Sequence, residues 1–453
     1  MEETMKTLIH GGRVIDPANR VDGLLNLLIE DGRIAWAGTD KPQADAYIDA
    51  TGKIVTPGFI DAHLHEDPVG EDGKIQPCIF HTMLRMGVTT VLGGNCGINY
   101  HDPVDFLNIV DRDGAAVNVA MLAGHEYFRK EAGAKDIYAK ATEEEKQIME
   151  RNIQAALDGG CMGVSFGLRY VPGADKDEFF RAAACCKKDK KLIASHVRDD
   201  ADGIFAAIDE FCAAGVEYGL PVQISHIGSM GGFGQMKDVL RQIDSYKLNG
   251  LDIAMDCYPY FAFSTKVGTP TYDPGWLERY HCDYDVLEFC EGKYKGQRAT
   301  KETFEEMRRD FPECITVCYV MKPEDVCLAY SHPAVMVASD GLLNKGQGHP
   351  RAAGSFPRFI AQFVRDGDID LYTAIEKITA MPAKRMGLKN KGHLAVGADA
   401  DITIFDFEKI RDHATFAQPV LAPEGIDWVL IGGKVAAKDC AIVDGHLGRA
   451  VRG

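Results

Sequence analysis

Two histidines, His63 and His65 in the segment VTPGFIDAHLHED, close an apolar run that reads as a β-strand. Side chains i and i+2 of a strand share a face, so both imidazoles can reach one metal ion. An HxH pair also arises by chance; its weight comes from its setting, with Pro57-Gly58 before the strand and Glu66 and Asp67 after it. Four further side chains repeat the pattern. Cys96 follows VTTVLGG between glycines that let backbone approach closely. His196 follows KLIAS, His226 follows PVQIS, and Asp340 follows AVMVAS, where a carboxylate is costly unless paired or metal-bound. Singly, each has a plain explanation: a buried thiol, a core histidine, a helix cap. Six metal-competent groups that each end an apolar run make a joint coincidence that those explanations do not cover.

Imidazole and thiolate are favoured zinc ligands, and a zinc site with an open position lowers the pKa of bound water to roughly 7. Such a water is a nucleophile at neutral pH. Asp340 is placed to take its proton and pass it to a departing nitrogen, which otherwise leaves poorly as an amide anion. The chemistry implied is metal-assisted hydrolysis of an amide C–N bond.

These residues must be brought to one place by the elements between them. Short apolar runs (VTTVLGG, NVAMLAG, CMGVSFG, KLIASH, PVQISH, LDIAMD, ITVCYV, AVMVASD) alternate with amphipathic stretches, which predicts a parallel sheet. About eight such units predict closure into a (β/α)8 barrel, whose C-terminal face is where barrel enzymes keep their chemistry. Both ends of the chain instead show alternating, turn-punctuated patterns, with Asp31-Gly32 as a hairpin turn. The expected fold class is therefore α/β, a TIM-type barrel with a small β-sandwich formed by both termini. Residues 1–55 and 390–453 are assigned to the sandwich and 56–389 to the barrel, with an insertion at about 275–325, where the sequence is charged, aromatic and weakly periodic.

Composition narrows the function classes. With 46% hydrophobic and 26% charged residues, and no apolar run long enough for a membrane span, the chain reads as soluble and free of membrane contact. The opening MEETMKTLIHGGRVI lacks the positive start and cleavage site of an export signal, and the thirteen cysteines are spread through a long chain. A cytoplasmic location is expected, with Cys185-Cys186 read as buried small hydrophobes rather than a redox pair. A net charge of −17 without any Lys/Arg run argues against nucleic acid as a partner. The expected partner is a small-molecule amide substrate; monomer or homo-oligomer is left open.

PGFIDAHLH, the two later strand-end histidines and the strand-eight Asp resemble the amidohydrolase superfamily over the whole chain. More narrowly, GVTTVLGGNCG, NVAMLAGHEYFR, ASHVRDD, DCYPY, GHPRAAGSFPRFI and PEGIDWVLIGGK are similar to its D-aminoacylase (N-acyl-D-amino-acid deacylase) branch. The resemblance implies a tight zinc on Cys96, His196 and His226, a second, weaker metal near His63 and His65, and Asp340 as acid/base. It also implies a strand-three cysteine in place of the carboxylated strand-four lysine of dihydroorotases and hydantoinases; Cys96 stands in that place and CMGVSFGL has no lysine. Arg351 is implied to lie near the substrate carboxylate, for which its fork geometry is suited. Tyr258, Tyr260, Tyr170 and Arg169 are further candidates for the pocket lining.

One departure stands out. The branch commonly carries His then Lys after the strand-six histidine, where this chain has Ile227 and Gly228. The expected function is deacylation of an N-acyl-D-amino acid; the alternatives are a cyclic amidase of the hydantoinase or dihydroorotase kind, and a non-catalytic barrel stapled by its metal.

Overall fold

The computed structural model describes residues 5–453; the first four residues, on which the reading against an export signal partly rests, lie outside the described residues. Eight short parallel strands form the centre. In order they are Phe59–Asp61, Val88–Gly93, Asn118–Met121 with its continuation Ala123–Gly124, Gly163–Gly167, Leu192–His196, Val222–Ile224, Ile253–Cys257 and Val335–Val337. Each pairs in parallel with the next. A parallel bridge between Leu64 and Gly341 joins the first strand to the eighth and closes the barrel.

These strands are buried on both faces, which is why they read as unbroken apolar runs rather than alternating ones. Helices cover the outside. Glu143–Asp158 shows how sequence sets one: Thr142 and Glu145 cap its start reciprocally, three glutamates sit in its first turn, and Met149, Ile153, Ala156 and Leu157 face inward at helical spacing. Loss of such a cap costs about 1 kcal/mol.

Two sheets from the chain ends pack over a shared apolar core. One runs Arg33–Gly38, Asn26–Glu30, Thr7–His10, Ala46–Asp49; the other includes Ile402–Phe405 from the C-terminal part paired to Ile54–Pro57 from the N-terminal part. Ile9, Leu27 and Ile34 of the first meet Val14, Val55, Ile402 and Leu430 of the second. Asp31 and Gly32 take left-handed φ values of 52° and 74° in the hairpin turn between two of these strands. The last residues leave this region: Arg449 and Val451 exchange backbone hydrogen bonds with Val119 of the third barrel strand.

Two expectations are corrected. The run ITVCYV is not a barrel strand: Ile315–Cys318 lies antiparallel between Phe263–Lys266 and Leu287–Phe289 in a separate three-stranded sheet. A four-residue apolar strand buried in a small module has the same local pattern as one in a barrel, so periodicity does not separate them. The inserted module therefore begins near Phe263, earlier than the charge pattern suggested. Cys96, in turn, follows the second barrel strand, not the third.

Candidate metal centre and active site

All six strand-end side chains converge at the C-terminal mouth of the barrel. Ligand atoms of His63, His65 and Cys96, of Cys96, His196 and His226, and of His63, His226 and Asp340 each lie within 4.8 Å of one another. Cys96 Sγ is 3.4 Å from His63 Nε2 and 3.5 Å from His226 Nε2, and Asp340 Oδ1 is 3.4 Å from His63 Nε2 and 3.3 Å from His65 Nε2. All six are buried.

The backbone is bent to achieve this. Cys96, His226 and Asp340 adopt left-handed φ values of 54°, 34° and 48°, a conformation that costs a non-glycine residue of order 1–3 kcal/mol and is kept only where surroundings enforce it. Those surroundings are visible. Glu66 accepts from Gly94 N at 2.9 Å and Tyr100 N at 3.0 Å, and Ser165 Oγ accepts from Gly97 N at 3.0 Å, clamping the Cys96 loop from both sides. A Cβ at Gly94 would strike Leu122 O and one at Gly97 the backbone of Gly167, so the flanking glycines are needed for close approach. Asp61 ties the first strand to the eighth by accepting from His63 N and Ser339 N, each at 3.1 Å.

Asp256 organises the other side and is a residue that the sequence reading passed over. Its Oδ1 lies 3.1 Å from His63 Nδ1 and accepts from His226 N at 2.8 Å, while Oδ2 accepts from Gln223 Nε2 at 2.7 Å. The signal was an acid inside an otherwise apolar strand, IAMDC. Ser229 Oγ, 3.0 Å from His226 Nδ1, fixes that ring from behind. Such outer partners orient metal-binding imidazoles.

Charge follows from packing. Burial pushes the Asp340 carboxyl up, but Arg351 and the neighbouring imidazoles outweigh it and hold it well below the usual carboxylate range. Burial likewise raises the Cys96 thiol, while the charge of His63 and the surrounding imidazoles draw it far down. His65, lowered by burial but raised more by Asp340 and Cys96, is brought to about 9. His196 is lowered, chiefly by burial, and neither of its ring nitrogens has a hydrogen-bond partner among the described residues. A buried imidazole with both nitrogens unpaired, beside a thiolate and a second imidazole, suits a cation of the zinc type, since no group among the described residues satisfies those atoms.

The remaining candidates divide. Arg351 begins the helix Arg351–Arg358, is 2% exposed, places Nη1 2.9 Å from Asp340 Oδ2, and lies over the Tyr258 ring at 4.6 Å. His349 positions it by accepting from Arg351 N at 3.0 Å, with its other nitrogen 3.2 Å from Ala262 O. The Tyr170 ring lies 4.6 Å from that of His196, tilted by 54°, and, like Tyr258, lines the cavity beside the centre. Arg169 does not: its Nη2 is committed to Asp199 at 2.6 Å and Asp200 at 2.8 Å, so it reaches the cavity only through Asp200. Tyr260 packs under Arg358 and lines no part of the mouth. At Gly228 a Cβ would stand 2.7 Å from Cys257 Sγ, so the lysine common in the branch has no room here without movement of that wall.

Sequence profiles of the amidohydrolase family match residues 54–225 and 327–437. N-acyl-D-glutamate deacylase of Alcaligenes xylosoxydans xylosoxydans is 32% identical over 96% of this chain and 94% of its own length. The chain belongs to the amidohydrolase family. Within it, the structure resembles N-acyl-D-glutamate deacylase from Bordetella bronchiseptica, solved with zinc and a phosphonate mimic of the tetrahedral intermediate, at a TM-score of 0.89 and 31% identity with both chains fully covered. It resembles a D-aminoacylase described as having a binuclear metal centre at a TM-score of 0.88 and 27% identity, over 99% of this amidohydrolase and all of that chain. These neighbours place it in the D-aminoacylase branch and carry the same barrel with its added β domain. Among the described residues no helix is long and apolar enough to cross a membrane.

Proposed function

We propose that this amidohydrolase removes the acyl group from N-acyl-D-amino acids, with a tight zinc held by Cys96, His196 and His226 and a weaker second site at His63 and His65. When bound, the metal supplies an acidified water and polarises the scissile carbonyl. The protein's own groups do the rest. Asp340, kept ionised at neutral pH by Arg351 and the imidazoles, accepts the proton of the attacking water and delivers it to the departing nitrogen. Arg351 takes the substrate's free carboxylate; in doing so it is drawn from Asp340, whose affinity for a proton rises as the proton arrives. Asp256 and Ser229 hold His63 and His226 in place while this happens.

The observation that carries the reading is the placement of Arg351 2.9 Å from Asp340, which joins a carboxylate-binding cation to the acid–base at the metal cluster. A cyclic amidase is less well supported, because the fourth strand, GVSFG, offers no lysine to bridge two metals. Thirteen free cysteines suit a reducing, cytosolic setting. The test is hydrolysis of N-acetyl and N-formyl D- and L-amino acids, with hydantoin and dihydroorotate alongside, by zinc-loaded protein. Release of D-amino acids supports the reading; ring opening without deacylation refutes it.

A further inference from the structure

Two cavities meet at the mouth. The inner one, about 20 Å³, lies between the metal cluster and the inserted module, bordered by Met230, Phe263, Ser264, Thr271 and Asp200. The outer one, about 450 Å³, opens past His65 and Tyr170 to solvent. Both are bordered by Asp340 and Arg351.

The cations around them are already in ion pairs. Asp200 takes Arg169 at 2.8 Å, Arg279 at 3.0 Å and the hydroxyl of Tyr280 at 2.6 Å. At the outer rim Lys266 pairs with Glu313 at 2.6 Å and Lys130 with Glu126 at 2.5 Å. Among the described residues lining the two cavities, Arg351 is the cation with a buried donor, Nε, still without a partner. One carboxylate can be matched; a second placed in the inner cavity would face Asp200 and Asp340 without a counterion. The same cavity holds two buried hydroxyls, Ser264 Oγ and Thr271 Oγ1, that have no hydrogen-bond partner among the described residues. Buried polar atoms are rarely left so, and these two border the space where a substrate side chain would sit.

We propose, resting on the deacylase reading above, that the amino-acid half of the substrate carries a compact, uncharged, hydrogen-bonding side chain, a hydroxyl or carboxamide received by Ser264 and Thr271. The acidic side chain named for the glutamate deacylase relatives is disfavoured, and so is an apolar one, which would leave both hydroxyls without a partner.

The experiment measures kcat/KM of zinc-loaded protein on N-acetyl-D-serine, -D-asparagine, -D-alanine, -D-leucine and -D-glutamate. Serine or asparagine is expected above alanine by at least about tenfold, from two hydrogen bonds, and above glutamate by at least about a hundredfold, from the unpaired charge. In the double variant Ser264→Ala, Thr271→Val the serine-to-alanine ratio is expected to fall toward one. Equal loss on both substrates, with the ratio kept, makes the hydroxyls merely structural and overturns the proposal. Glutamate or leucine as the best substrate overturns it too while leaving the deacylase reading intact; silence on all five removes both. Should the double variant fail to fold, the wild-type ranking decides alone.

Discussion

Two buried clusters in this protein are built from similar residues and differ in what they leave unfinished. Away from the mouth, Glu178 Oε1 lies 2.9 Å from His125 Nε2 and accepts from Arg129 Nε at 2.9 Å, while Arg129 also donates to the carbonyls of Ala134, Asp136 and Ala139. Its members sit on ordinary helices, His125–Glu131 and Lys176–Ala184. At the mouth, the ligand-type atoms gather in three overlapping triplets, three of the residues are in left-handed backbone, and both nitrogens of His196 lack a partner among the described residues. The first cluster is a staple held by its own pairings, with only His125 Nδ1 and Glu178 Oε2 left over. The second is complete only when something else binds. Burial of histidines and acids, with some unmet bonding, is common to both; convergence of metal-ligand atoms around an imidazole unmet at both nitrogens is what marks a site.

Substitutions can break or sharpen this contrast. The largest effect is expected from Cys96→Ala, which removes a thiolate ligand: zinc, read by metal analysis, should fall well below one per chain and turnover by about a thousandfold or more. Full zinc occupancy in that variant would make the mouth cluster another staple. Asp340→Asn should keep most of the zinc yet lose at least about a hundredfold in kcat, the scale of general acid–base catalysis; near-normal rates would take that role away. Arg351→Met should act on binding, lowering kcat/KM by about ten- to a hundredfold mainly through KM, as loss of a charged hydrogen bond does. An effect confined to kcat would place Arg351 with Asp340 rather than with substrate.

On catalysis the smallest effect is expected at the other cluster. Glu178→Ala leaves Arg129 buried and unpaired, so it should destabilise by about 3–5 kcal/mol in denaturation while zinc content and turnover per folded molecule stay within about threefold. Burial raises the Glu178 carboxyl, but His125 and Arg129 outweigh it, so its native pKa lies below the ordinary value. Its contribution is therefore full above about pH 4.3, the unfolded value, and lost as pH falls through the lower native one, so the gap between wild type and variant should narrow there. A gap that widens on acidification would reverse the assigned sign.

The same contrast explains what was legible in the sequence. His63, His65, His196, His226 and Asp340 stand at the ends of apolar runs, and a barrel delivers strand ends to one face, so their gathering follows from local pattern plus topology. Which strand carries Cys96 did not follow, because the strand-three position was implied by resemblance and not by pattern; separately, ITVCYV, part of the inserted sheet, has the apolar pattern of a barrel strand. Asp256 carries its cue in the strand itself, an acid within the buried apolar run IAMDC, beside aromatics in DCYPY that read as pocket lining. Arg169 looked like a pocket residue, and only coordinates reveal that Asp199 and Asp200 occupy it. Ser264 and Thr271 carry no sequence signal at all: hydroxyls in an insertion become notable only when burial leaves them without partners.

The most direct test of the mouth cluster as a catalytic metal centre is a titration. Protein stripped by chelation is given zinc in steps from zero to two equivalents while hydrolysis of an N-acetyl-D-amino acid is followed. Activity absent without metal and rising in proportion to zinc up to one equivalent, on the tight Cys96, His196 and His226 site, is the predicted result; full turnover by metal-free protein would contradict the account.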